Sequence, residues 1–163
     1  MPPEAKLLAF FMVTSLVSWA IIAYVHILPW LEKRSQREAL LVAVMPHMFR
    51  TVGALAIFPG IGDVPREWSL PLAIGDSITS VLAMLSMIAL HRSWRHAIKL
   101  VWVFNVFGLL DMIHNGYSAA SLQIAPRMGI IAYVVGFGVP GMFMFHMLVF
   151  RTLLRARAPA STS

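Results

Sequence analysis

LLAFFMVTSLVSWAIIAYVHILPWL, residues 7–31, runs for 25 residues without an Asp, Glu, Lys or Arg. The hydrocarbon core of a bilayer is about 30 Å thick, and about 20 apolar residues in a helix cross it. The stretch is longer than the apolar region of a secretory signal, and no small-residue cleavage site follows it. It is therefore expected to persist as a mature helix. Outward from it, four more stretches share its character: Ala39–Phe58, Leu70–Ala89, Ala97–Tyr117 and Met128–Phe150. The expected fold is all-α: an integral membrane bundle of five transmembrane helices forming one domain over residues 1–155. The spans are placed at about 7–30, 39–58, 70–89, 97–117 and 128–150. A small, polar tail, 156–163, is expected to be disordered.

Composition points the same way. Of 163 residues, 59% are apolar and 12% charged, and the mean hydropathy is +0.77. Soluble domains carry about a quarter charged residues. The net charge of +6 sits in the connections between apolar runs. That placement favours an anionic membrane face as the partner, with no nucleic acid. The chain has no cysteine, which excludes disulfides, thiolate metal sites and cysteine nucleophiles.

Short basic loops stay in the cytoplasm. Lys33, Arg34 and Arg37 lie in the first connection, Arg92, Arg95 and Lys99 in the third, and Arg151, Arg155 and Arg157 at the end. These are nine of the thirteen basic residues, and two spans separate each group from the next. Five crossings then put the N-terminus outside and the C-terminus in the cytoplasm. A multi-pass protein of the cell membrane is implied, most simply a bacterial inner membrane.

Proline and glycine mark the irregular places. Pro46 lacks the N–H that would bond Val42, so a kinked α-helix is expected there. Ser69 and Pro71 read as the start of the third span. Gly136, Gly138, Pro140 and Gly141 interrupt the fifth. Gly136, Gly138 and Gly141 match a GxGxxG pattern. Without a preceding strand they read as close helix packing and not as a dinucleotide loop. Trp30, Trp68, Trp94 and Trp102 fall near span ends and read as interfacial anchors.

Ionisable groups within spans are costly and usually face the bundle interior. Arg50 lies about 16 Å into the second span. Asp76 and Asp111 occupy comparable depths on the third and fourth. A buried guanidinium calls for a carboxylate, so Arg50 is expected to pair with Asp111, Asp76 or both. Helical spacing aligns His47, Arg50 and Gly53. It also aligns Asn105, Gly108, Asp111 and Asn115, and Asp76 with Thr79 and Ser80. The expected ligand or proton pocket comprises His47, Arg50, Asp76, Asn105, Asp111, His114 and Tyr133. A purely structural network that fixes helix register is the competing reading.

The histidines offer another chemistry. His47 and His146, or His26 and His146, could hold one haem b from the inner side. His114 stands alone on the outer side, which disfavours a second haem. No metal site and no catalytic residue is expected, and no cofactor apart from that alternative haem.

Four stretches resemble a group of small, uncharacterised bacterial polytopic membrane proteins: His47-Met-Phe-Arg50, Gly75-Asp76, Val101-Trp-Val-Phe-Asn105 and His146-Met-Leu-Val-Phe-Arg151. The likeness covers Pro46 to Arg151 and implies no activity. Length and helix count also match the five-helix translocator proteins. Their tryptophan-rich motifs are absent, and no residue carries over. The expected function is a non-enzymatic membrane protein whose buried polar pocket binds a small molecule or conducts a proton or solute. The alternatives are a redox subunit with haem b and an accessory subunit of a larger membrane complex. The partners expected are the lipid bilayer and a small molecule or proton, with a homo-oligomer or a larger membrane complex left open. A stable isolated oligomer would count against the accessory subunit.

Overall fold

The computed structural model describes residues 1–155, and the tail expected to be disordered lies outside them. The described residues form helices and connections, with no strand among them. Five helices are long and apolar enough to cross a membrane. They are α1 (Pro3–Glu32), α2 (Gln36–Ile57), α3 (Arg66–His91), α4 (Ala97–Ser121) and α5 (Ile131–Arg155). Each overlaps one of the five apolar stretches read from the sequence.

The ends of the helices differ in charge. Arg37 in the first turns of α2 donates to the Ser93 hydroxyl and the His91 carbonyl. Arg151 of α5 meets Glu32 of α1 at 2.7 Å, and Gln36 donates to the Thr152 carbonyl. The first connection, the third connection and the end of α5 therefore share one end of the bundle. At the other end Asp63 forms an ion pair with Arg127 at 3.5 Å, and its backbone N–H donates to the Arg127 carbonyl.

Two helices change their winding. α1 widens into a π-turn over Ala23–Ile27, just ahead of Pro29, whose ring cannot donate to the preceding turn. α2 begins as an α-helix with a Ser35–Glu38 capping box, then tightens to a 3-10 helix over Met45–Ile57. From the sequence an α-helix is expected to continue past Pro46; the winding there is 3-10. The switch coincides with Pro46, which has no N–H for Val42. At about 2.0 Å per residue the thirteen residues of the 3-10 segment span about 26 Å, against about 20 Å for an α-helix. Three residues per turn also place His47, Arg50 and Gly53 directly above one another.

α3 starts earlier than Ser69. Its first turn is Arg66–Ser69, entered from Pro65, and Pro71 lies inside it. Ser69 is buried and caps nothing. α5 runs unbroken through Pro140. Its glycines admit α1: a Cβ on Gly136 would lie 2.1 Å from the Phe11 ring, and one on Gly141 would lie 2.7 Å from Trp19. Ser15 and Trp19 complete this contact by donating to the Phe137 carbonyl at 3.5 and 3.3 Å. The rest of α1 presents Leu7, Phe10, Val13 and Val17 outward, 53% to 70% exposed, as a lipid-facing helix would. Trp30 and Trp94 are exposed near helix ends. Trp68 differs from the expected anchor. It is buried and donates its indole N–H to the Asn115 carbonyl at 3.0 Å.

Candidate functional site

The most polar part of the interior is built around Arg50. Its Nε donates to Asp76 Oδ1 at 2.7 Å, and one terminal nitrogen lies 2.6 Å from the same oxygen. That nitrogen also meets Asp111 Oδ2 at 2.9 Å. The other terminal nitrogen donates to the Gly108 carbonyl at 2.9 Å and faces His146 Nε2 at 3.3 Å. Arg50 thus meets both carboxylates from the two helices that sequence depth had suggested. Each side chain of the trio is about nine-tenths buried.

Neighbouring groups fix the orientation of each partner. Asn115 donates to Asp111 Oδ1 at 3.0 Å, one turn along α4. Asn105 donates to the His146 carbonyl at 3.2 Å, so its side-chain oxygen faces His146 Nδ1 at 2.7 Å. An oxygen acceptor there requires a proton on Nδ1, which leaves the Nε2 lone pair for Arg50. Ser80 braces the 3-10 helix. Its hydroxyl donates to the His47 carbonyl and accepts from the Thr51 N–H.

Three glycines make room for these contacts. A Cβ on Gly53 would lie 1.9 Å from Asp76 Oδ2, and one on Gly75 would lie 1.8 Å from Asp111 Oδ1. On Gly108 it would lie 2.7 Å from Thr79, 2.8 Å from His146 and 3.1 Å from Arg50. α2, α3 and α4 can converge on one guanidinium because the backbone is bare at these points. A cavity of about 80 Å³ beside the cluster touches Arg50 and Asp76 and is otherwise lined mainly by apolar residues such as Leu72, Met112 and Val139. It has room for a few waters. Pockets for drug-sized ligands are typically about 300 Å³ or more.

Residues 7–154 match the sequence model of a family described as "Domain of unknown function (DUF8737)". The chain belongs to that family. No curated protein and no solved structure matches it. The DUF8737 match takes in the whole Arg50 cluster.

Of the residues singled out in the sequence, His47, Arg50, Asp76, Asn105 and Asp111 come together here. His114 and Tyr133 do not. His114 is exposed, on a different face of α4 from its neighbour Asn115, which is buried and bonded to Asp111. Tyr133 sits in the first turn of α5, 69% exposed, with its ring edge-on to Phe11. His114 and Asn115 both lie one turn from Asp111, at i+3 and i+4, so spacing alone does not choose between them; Asn115 is the one that is buried and bonded to Asp111. Tyr133 is separated by its face and not by its level: Val134 and Val135 next to it line the cavity beside Arg50 and Asp76, whereas Tyr133 meets Phe11 of α1.

His47 is fully buried, and neither of its ring nitrogens has a hydrogen-bond partner. Its ring packs on His146, with centroids 4.1 Å apart, and against Phe104 at 5.0 Å. Two imidazoles that ligate one haem iron stand on opposite faces of a macrocycle. Rings in mutual contact leave no layer for one. His26 lies on an exposed face of α1. Among the described residues no group of three or more His, Asp or Glu is placed to hold a metal ion.

Proposed function

We propose that the chain is a multi-pass protein of a bacterial cell membrane, with its N-terminus outside, whose Arg50–Asp76–Asp111 cluster takes up and releases a proton. The reading is one of proton or proton-coupled solute conduction and not of enzymatic turnover. The observation that carries it is the charge count. Two carboxylates share one guanidinium in an interior about nine-tenths buried. With both acids ionised the cluster holds one negative charge too many, at a depth where unpaired charge is most costly. One bound proton removes that excess. Its binding and release then switch the site between two charge states.

The geometry favours a proton over an anionic ligand at Arg50. Its nitrogens already face Asp76, Asp111, Gly108 and His146, so none is left for an incoming carbonyl or phosphate. The adjoining space suits water better than a solute of any size. His146 and His47 continue the cluster toward the arginine-rich end.

The test is proton flux in proteoliposomes. The wild type should acidify or alkalinise the lumen down an imposed gradient. Asp111→Asn and Asp76→Asn should each remove the flux while the protein stays folded. Flux equal to wild type in both variants would leave the cluster as a helix-register device only.

A further inference from the structure

A second polar feature lies at the arginine-rich end, away from the buried cluster. α1, α2 and α5 enclose a cavity of about 240 Å³ there. Its apolar wall is Leu28, Leu31 and Ala39, and its rim carries Arg34, Arg151 and Arg155. Glu32 is its one acid, 2.7 Å from Arg151 and 3.6 Å from Arg155. Three guanidiniums against one carboxylate leave an excess of two positive charges.

These ion pairs are loosely held. Glu32, Arg151 and Arg155 are 43% to 56% exposed, where such pairs contribute little and exchange easily. A phosphate, like a carboxylate, accepts paired N–H bonds from arginine, and Glu32 alone supplies too few acceptors for three guanidiniums. Arg34 stacks 5.0 Å above the Trp30 ring, which holds its charge at the level of an interfacial tryptophan. The remaining polar groups nearby are engaged: Gln36 with the Thr152 carbonyl and Arg37 with Ser93 and His91. Basic rim, leucine wall and tryptophan level together fit an amphiphile with a phosphate head and acyl chains.

We propose that this cavity binds the phosphate headgroup of an anionic membrane lipid. The site is independent of proton handling at Arg50, and either can stand without the other.

The experiment titrates detergent-purified protein with phosphatidylglycerol, phosphatidylcholine and inorganic phosphate, with binding read by native mass spectrometry and thermal stabilisation. Phosphatidylglycerol should bind and phosphatidylcholine should not. Arg151→Gln/Arg155→Gln should weaken binding about twenty-five-fold, about fivefold for each arginine. Arg92→Gln/Arg95→Gln removes the same charge from the same end outside the cavity and should leave affinity unchanged. Glu32→Gln removes the competing carboxylate and should tighten binding about fivefold, which decides the matter if the double arginine variant fails to fold. The proposal is overturned if both arginine pairs weaken binding equally, or if phosphatidylcholine binds as well. It also falls if Glu32→Gln has no effect, or if inorganic phosphate displaces the lipid at equal concentration, which would assign the site to soluble phosphate.

Discussion

Replacing Gly75 by alanine adds one methyl group to α3 where α4 presses Asp111 against its backbone. In an exposed helix the change stabilises by about 1 kcal/mol, since alanine loses less chain entropy than glycine. Here the new Cβ would lie 1.8 Å from Asp111 Oδ1, and ordinary contact begins at 3.4 Å. The carboxylate must retreat by roughly 1.6 Å, or α3 and α4 must part. Either movement opens the 2.9 Å contact to Arg50 and the 3.0 Å bond from Asn115. Breaking a buried ion pair on one side costs about 3–5 kcal/mol. The net expectation is a loss of about 2–4 kcal/mol, opposite in sign to helix propensity. Equilibrium unfolding in mixed micelles measures it, with Asp111→Ala as the second arm of a double-mutant cycle. In that background the methyl group has no oxygen to displace, and Gly75→Ala should return to neutral or slightly stabilising. A stabilising Gly75→Ala in the wild type, or the same cost in both backgrounds, would refute the packing argument.

Three other changes follow from the same contacts. Ser80→Ala removes the hydroxyl that satisfies the Thr51 N–H and the His47 carbonyl, and should cost about 1–3 kcal/mol in micelle unfolding. His47→Leu replaces a buried ring with unpartnered nitrogens by an apolar side chain, so it should raise stability by about 1 kcal/mol while it lowers proton flux. Trp68→Phe deletes the donor to the Asn115 carbonyl and should cost about 1 kcal/mol by the same assay, with flux retained.

The helices were the legible part, because apolar runs of bilayer length have few other readings and the basic residues fall in alternate connections, which share one end of the bundle. The Arg50 partners were legible for a related reason. A buried guanidinium narrows the choice to carboxylates at its depth, and only Asp76 and Asp111 met that condition. The 3-10 winding of α2 was not legible. Pro46 announces a break in the α ladder, but the tighter turn also depends on Ser80 reaching across from α3. Gly75 carried no visible signal beyond its place beside Asp76. Its importance comes from the approach of α4, which a one-dimensional pattern does not hold. Tyr133 and Trp68 failed in opposite directions. Aromatic residues near span ends face either lipid or core, and composition alone does not choose.

The most direct measurement is the infrared spectrum of the lipid-reconstituted protein in the carboxyl region at neutral pH. The account predicts the C=O stretch of one buried, protonated carboxylic acid, lost or displaced in Asp76→Asn and in Asp111→Asn and untouched by Glu67→Gln. A spectrum with no such band in the wild type, both acids being ionised beside Arg50, would contradict the proposed proton site.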